Sequence, residues 1–78
     1  VIPRAHVRDL LEVASQGEAQ AEPLMGRLLR VAADVARQAG LADGGFRLVA
    51  NTGADGGQSV FHLHLHVLGG RPLGWPPG

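Results

Sequence analysis

The sequence predicts an α+β fold, in which one main helix covers an antiparallel sheet. Three observations lead to this prediction. Apolar residues recur at helical spacing over residues 22–39, apolar and polar residues alternate over 60–68, and a second apolar run occupies 46–50. A glycine-rich segment separates the two apolar runs, so we expect the two strands that they form to pair antiparallel.

The N-terminal part predicts a strand remnant and a short helix. Val1 and Ile2 have the character of a strand end, which Pro3 closes. Helical spacing of apolar residues predicts a short helix over residues 7–14: Val7, Leu10, Leu11 and Ala14.

The main helix is expected to begin near Glu22, with Pro23 in its first turn, and to end at Gly40. A start at the capping-box pattern Ser15–Glu18 is the alternative, but it would place Pro23 inside the helix. The predicted buried stripe is Leu24, Leu28, Val31, Val35 and Ala39. The predicted solvated face is Arg27, Arg30, Asp34 and Arg37, and a second apolar row is Met25, Leu29, Ala32 and Ala36.

The C-terminal half predicts two strands and a tail. Gly44 and Gly45 form a turn into a strand over residues 46–50, a loop follows at 51–59, and a histidine strand covers 60–68. Residues 69–78 are rich in proline and glycine and contain Trp75. Composition alone leaves open whether this tail is floppy or ordered.

Composition narrows the function classes. The chain has 78 residues, enough for one domain at most, and its seven arginines balance seven acidic residues in the absence of lysine. Without a basic surplus it lacks the footprint of a nucleic-acid-binding protein. It has no cysteine and therefore no disulfide framework. No apolar run reaches the roughly 18 residues of a membrane span, so no membrane partner is expected.

The most informative feature is the alternation around His62, His64 and His66. Successive side chains of a strand point to opposite faces, so these imidazoles share one face and Phe61, Leu63, Leu65 and Val67 share the other. Histidine serves as base, nucleophile or metal ligand at neutral pH. A solvated face, a metal site and phosphorus chemistry with an imidazole nucleophile are therefore the three interpretations. The three imidazoles cannot all bind one zinc ion, because the Cβ atoms at positions i and i+4 of a strand are about 13 Å apart.

The loop before this strand favours phosphorus chemistry. Its sequence is Asn51-Thr52-Gly53-Ala54-Asp55-Gly56-Gly57-Gln58-Ser59. Glycines let the backbone approach a ligand closely, and successive N–H groups in such turns form anion-binding concavities. An ordinary hairpin turn is the alternative. Together with the three histidines, the loop predicts a phosphate-binding cradle beside a nucleophile.

The run His62-Leu63-His64-Leu65-His66-Val67-Leu68 resembles the His-φ-His-φ-His-φ-φ pattern, with φ apolar, of the histidine triad (HIT) family of nucleotide hydrolases and transferases. The opening residues 1–6, Asn51 and the run 55–59 fit the same pattern, and Leu68-Gly69-Gly70-Arg71 with the ending Trp75-Pro76-Pro77-Gly78 is similar to the Hint branch of purine nucleoside phosphoramidases. The resemblance covers the whole chain and implies a HIT-like fold.

The resemblance also implies an activity, with roles for individual residues. It implies hydrolysis of purine nucleoside phosphoramidates of the AMP–amine type, through a nucleotidyl-histidine on His64. The implied catalytic residues are His64, His62, His66, Ser59 and, with its place after the first strand, His6. The implied nucleotide-binding residues are Asn51, Gly57, Gln58, Ser59, His64 and His66. Neither a metal nor an organic cofactor is implied. The alternatives are a dinucleotide polyphosphate hydrolase or nucleotidyl transferase, and a non-catalytic nucleotide-binding module.

Finally, the resemblance implies a context for residues 1–78. Family domains are usually longer at the N-terminus, so we expect the chain to be the C-terminal portion of a HIT domain, without the upstream strands and part of the nucleoside pocket. The family implies a homodimer, in which the C-terminal arm approaches the neighbouring subunit's site. It also suggests a cytoplasmic protein, with organellar targeting left open because an N-terminal signal would lie upstream.

Overall fold

Two helices precede a two-stranded antiparallel sheet in the computed structural model, which describes all 78 residues. The elements are α1 (Leu10–Ala14), α2 (Glu18–Gln38), β1 (Phe46–Val49) and β2 (His66–Gly69). In the sheet, Phe46 lies opposite Gly69 and Val49 opposite His66. The predicted α+β class, with one main helix and an antiparallel sheet, is confirmed.

Helix α1 is shorter than predicted because Asp9 fixes its start. The Asp9 carboxylate accepts a 2.9 Å hydrogen bond from the Glu12 N–H, as an N-cap residue does. The helix therefore begins three residues after Val7, which is buried outside it. This start turns Val13 into the core and leaves Leu11 71% exposed.

Helix α2 begins at Glu18, four residues before the predicted start, so that prediction is wrong. Gly17, with φ at 89°, turns the chain into the helix, a backbone conformation that glycine adopts without strain. Ser15 is not its N-cap, because its hydroxyl donates to the Glu12 carbonyl of α1 at 2.6 Å. Pro23 lies at an exposed position inside α2. The long helix tolerates the absence of the backbone hydrogen bond that proline cannot donate.

The buried stripe of α2 also differs from the prediction. Its buried residues are Ala21, Leu28, Ala32 and Ala36. Val35 is 38% exposed and Ala39 is exposed, whereas Ala32 and Ala36 of the second apolar row are fully buried. The sequence prediction favoured large side chains, but the small alanines face inward. Seven buried residues form the core: Val7, Val13, Ala21, Leu28, Ala32, Leu63 and Leu65.

Only the last part of the predicted histidine strand pairs with β1. Strand β2 begins at His66, whereas the prediction placed its start at residue 60. Before β2 the chain is held by other backbone groups: the Leu63 N–H donates to the Val7 carbonyl, and Leu65 and Val1 exchange two hydrogen bonds of 2.8 and 2.9 Å. These bonds keep the segment extended beside the N-terminal residues, which is the strand-like role expected of Val1.

The two faces of the histidine segment are nevertheless as predicted. Leu63 is 1% and Leu65 is 8% exposed, while the histidines lie on the opposite, more accessible side. Phe61 is the exception at 62% exposed, because it precedes the point where Val7 ties the segment to the core. The predicted packing of Phe61 on the apolar face is therefore wrong.

A side-chain hydrogen bond joins the C-terminal arm, residues 70–78, to the sheet. The Arg47 guanidinium on β1 donates a 2.8 Å hydrogen bond to the Gly74 carbonyl. Next to this attachment Trp75 projects into solvent and is 83% exposed. Neither helix combines the length and apolar character that a membrane crossing requires.

Candidate functional site

Four imidazoles gather on the accessible side of the histidine segment. The rings of His64 and His66 meet edge to face with their centroids 4.9 Å apart. His6, which follows the N-terminal extended residues, meets His62 in the same way at 5.3 Å. The structure therefore brings His6, which is isolated in the sequence, into contact with His62 of the triad. The four rings form two pairs, and no group of three or more His, Asp or Glu side chains converges to hold a metal ion.

The hydrogen bond of His64 defines which of its nitrogens carries the proton. The Nδ1 atom lies 2.7 Å from the carbonyl oxygen of His62. A carbonyl oxygen can only accept, so Nδ1 must be the donor. In the neutral ring the lone pair then resides on Nε2, which has no partner within the chain. A free imidazole lone pair on a half-buried ring is the state that a nucleophile or a base requires.

His62 is fixed through the opposite nitrogen. Its Nε2 atom lies 3.1 Å from the carbonyl oxygen of Pro3, so by the same reasoning Nε2 is the donor and Nδ1 carries the lone pair in the neutral ring. His62 thus links the N-terminal segment to the histidine segment. His66 is exposed and makes no hydrogen bond within the chain, so both of its ring nitrogens are available to a ligand.

The glycine-rich loop forms a compact turn that precedes the histidine segment. The Gly57 N–H donates to the Ala54 carbonyl, and the Gln58 N–H donates to the Gly53 carbonyl, both at 3.0 Å. A side chain at Gly56 would collide with the backbone of Thr52, so glycine is required there for close packing. Because the Gly57 N–H is already bonded inside the turn, it is not a free donor for phosphate.

Two loop residues leave polar groups available. Ser59 is exposed, and neither its hydroxyl nor its backbone N–H has a partner within the chain. Asn51 is half-buried, and its Nδ2 group donates to the Gly56 carbonyl, which leaves the Oδ1 oxygen without a partner. Ser59 therefore offers two donors and Asn51 one acceptor that the chain itself does not use.

Gln58 is the residue whose surroundings differ most from the prediction. It is only 8% exposed, and every hydrogen-bonding atom of its side-chain amide is used inside the chain. Its Oε1 accepts from the Gly53 N–H at 3.0 Å, and its Nε2 donates to the carbonyls of Arg8 at 2.8 Å and Val60 at 3.2 Å. The amide has two N–H bonds and both are occupied.

Sequence reasoning missed the backbone acceptors that complete this site. The carbonyls of Pro3, Arg8 and His62 orient two histidines and one glutamine. Any residue type supplies a carbonyl, so no letter of the sequence could have identified them.

The fold and this face of paired imidazoles define a histidine triad protein, and comparisons with known proteins agree. The model of the HIT domain family matches residues 1–73, and the chain belongs to the HIT family. Over 78 residues it is 49% identical to an uncharacterized HIT-like protein of Synechococcus elongatus and 50% identical to the adenylylsulfatase HINT1 of Arabidopsis thaliana. It is 48% identical over 65 residues to the purine nucleoside phosphoramidase of Escherichia coli, consistent with the Hint branch.

Solved structures give the same result for the fold. A HIT family hydrolase from Legionella pneumophila superposes with a TM-score of 0.82 at 43% identity, covering 99% of this chain and 65% of that one. A HIT family hydrolase from Clostridium thermocellum gives 0.82 at 38% identity, covering 94% and 60%. The chain likewise spans only part of the curated relatives: 64% of the Synechococcus protein, 51% of the Arabidopsis protein and 55% of the Escherichia protein. The alignments cover all of this chain for the first two relatives and 83% of it for the third.

Proposed function

We propose that the protein hydrolyses purine nucleoside phosphoramidates through a covalent intermediate on His64. The observation that carries the proposal is the 2.7 Å hydrogen bond from Nδ1 of His64 to the His62 carbonyl, which leaves Nε2 as the free, basic nitrogen. Membership of the HIT family and the relative named purine nucleoside phosphoramidase support the substrate class.

The reaction proceeds in two displacements at the α-phosphorus. In the first, the Nε2 lone pair of His64 forms a bond to phosphorus, the phosphorus–nitrogen bond to the amine breaks, and the amine leaves with a proton taken from solvent. In the second, water attacks phosphorus, loses a proton, and breaks the bond to Nε2. The products are the nucleoside monophosphate and free His64. Splitting one difficult displacement into two easier ones is the benefit of covalent catalysis.

The carbonyl of His62 supports the first step electrostatically. When Nε2 bonds to phosphorus, the imidazole ring acquires positive charge, and the Nδ1–H donated to this carbonyl becomes a stronger donor. A preorganised dipole aimed at developing charge stabilises the transition state without reorganisation of solvent. The same bond holds the ring at a fixed angle, so Nε2 points in one direction.

We assign the neighbouring polar groups supporting roles. His66 is exposed with two available nitrogens, and it binds phosphate oxygens beside His64. Ser59 donates its free hydroxyl and N–H to the phosphate and the leaving group. Asn51 accepts from the ribose through Oδ1. His62 and His6 form the flank of the site, where the Pro3 carbonyl orients His62. The bonded Gly57 N–H is left out of phosphate binding.

A second candidate substrate is adenylyl sulfate. The Arabidopsis relative is named adenylylsulfatase, and it is 50% identical over the whole chain. The same attack of His64 on the α-phosphorus applies, with sulfate as the leaving group in place of an amine. The two candidates therefore share a nucleophile and differ in whether the leaving group needs a proton.

A direct comparison of substrates tests the proposal. The full-length protein is given adenosine phosphoramidate, adenylyl sulfate and a dinucleoside polyphosphate at equal concentration, and release of AMP is followed by chromatography. We expect turnover of the phosphoramidate with the highest kcat/KM, and none with the matched His64→Ala protein. Failure to turn over any of the three, with binding of AMP retained, would favour a non-catalytic nucleotide-binding module.

A further inference from the structure

We infer that Gln58 is a positioning residue for His64, acting through the backbone and making no contact with nucleotide. The inference rests on the proposed function, in which His64 is the nucleophile. It replaces the nucleotide-binding role that the sequence resemblance implies for Gln58. Four observations carry it: the burial of Gln58, its fully used amide, the path of the chain on either side of His62, and the bond from His64 to the His62 carbonyl.

The Gln58 amide joins three segments that carry site residues. Through Oε1 it holds Gly53 in the loop, and through Nε2 it holds Arg8 in the segment after His6 and Val60 at the start of the histidine segment. With 8% exposure and both N–H bonds occupied, it has no donor to offer a ligand without giving up one of these links. Loss of such a buried donor also leaves two carbonyls unsatisfied, at a cost.

The residue next to Arg8 connects this anchor to the histidines. The Val7 carbonyl accepts a 2.8 Å hydrogen bond from the Leu63 N–H. The histidine segment is therefore tied to residues 7 and 8 at two places: at Val60 through the Gln58 side chain, and at Leu63 directly. His62 lies between these two ties, so its backbone has little freedom to move.

A single peptide unit links the restrained backbone at His62 to the ring of His64. The peptide between His62 and Leu63 donates its N–H to Val7 and accepts from Nδ1 of His64 with its carbonyl oxygen. A peptide unit is planar, so fixing the N–H direction also fixes the carbonyl direction. Hydrogen bonds in such a chain also polarise one another. The orientation and the tautomer of the His64 ring are thus set by the position of the Val7–Arg8 segment, which Gln58 anchors.

Two substitutions separate the donors of Gln58 from its other contacts. Gln58→Glu retains the length and an acceptor for the Gly53 N–H, but its carboxylate cannot donate to the Arg8 and Val60 carbonyls. Gln58→Met removes donors and acceptor at similar volume. Gln38→Met is the matched control, since Gln38 is exposed at the end of α2 and its side chain makes no hydrogen bond within the chain.

The tautomer of His64 is the readout that a merely structural role would leave unchanged. In the full-length protein labelled with 15N, imidazole NMR spectra report which ring nitrogen of His64 carries the proton. We expect the Nδ1–H form in the wild type and in Gln38→Met, and a mixture of tautomers in both Gln58 variants. With adenosine phosphoramidate, kcat should fall roughly ten- to a hundred-fold while KM changes little, because the ring and not the binding surface is displaced.

The outcomes distinguish this inference from the proposed function. An unchanged Nδ1–H form and an unchanged kcat in folded Gln58→Glu would overturn the positioning role while leaving the nucleophile in place. Loss of the folded state in both Gln58 variants would overturn it too, since Gln58 would then serve the fold as a whole. If the wild type turns over no substrate, the proposed function fails, but the tautomer comparison still decides whether Gln58 sets the His64 ring.

Discussion

A backbone carbonyl decides which nitrogen of the neutral His64 ring carries the free lone pair. Because the His62 carbonyl accepts from Nδ1, the lone pair of the neutral ring is on Nε2, facing away from the backbone. His62 is held through its Nε2 by Pro3, so two neighbouring triad histidines are in opposite tautomers. Chemically identical side chains thus carry their free lone pairs on different ring nitrogens, because their backbone acceptors differ.

Residue types predicted the histidine face well and the hydrogen bonds poorly. The alternation of Leu63 and Leu65 with the histidines follows from any extended backbone, so it holds even where the ladder with β1 is absent. The environments of Gln58 and Gly57 could not be predicted. Their partners are the carbonyls of Arg8, Val60 and Ala54, whose positions depend on the folded chain.

For the secondary-structure elements, single helix-breaking residues predict the helix bounds poorly. Pro23 favoured a late start for α2, but Gly17 begins the helix at Glu18 and proline is accommodated on its exposed side. The predicted stripe consists mainly of large apolar residues, whereas Ala32 and Ala36 are the buried ones and Val35 is partly exposed. The period of the helix was predictable, but its rotation was not, because several apolar rows compete and only tertiary packing selects one.

The loop over residues 51–59 depends on a glycine that packs closely, and this gives a test. Gly56→Ala places a methyl group against the Thr52 backbone, so the turn must shift. We expect a loss of about 1–3 kcal/mol in the free energy of unfolding. Gly26→Ala is the matched control, because the added methyl group meets nothing within 4 Å in the middle of α2. It should stabilise the protein by about 1 kcal/mol.

Urea unfolding of the two variants and the wild type measures these differences. If Gly56→Ala is as stable as the wild type, the turn is not packed as described. In a Gly56→Ala protein that still folds but has displaced loop residues, we also expect weaker binding of AMP, because Ser59 follows the turn directly.

At the scale of the whole molecule, the chain leaves apolar surface open. An apolar groove of about 300 Å³ runs between both helices and the sheet, and it is lined by Leu10, Met25, Leu28, Leu29, Leu48, Ala50 and Leu65. Strand β1 pairs with β2 alone, so one of its edges has no partner strand. Unpaired edges and apolar grooves favour association. We propose that the full-length protein is a homodimer, as the family resemblance implies.

Light scattering of the full-length protein tests this proposal. We expect the mass of a dimer for the wild type and of a monomer for Leu29→Glu, because Leu29 lines the groove and is 54% exposed. Leu11→Glu is the control, since Leu11 is 71% exposed on α1 and does not line the groove. A monomeric wild type, or a Leu29→Glu protein that remains fully dimeric, would contradict the proposed interface.

Trapping the bond between Nε2 of His64 and phosphorus tests the covalent mechanism. The full-length protein is mixed with adenosine phosphoramidate, quenched within the first turnover under denaturing alkaline conditions, and digested for mass spectrometry. We predict an adenylyl group on the peptide that contains residues 60–68, attached to His64 and absent from the His64→Ala protein. Turnover without any adduct on His64, or an adduct on His62 or His66 in its place, would contradict the account.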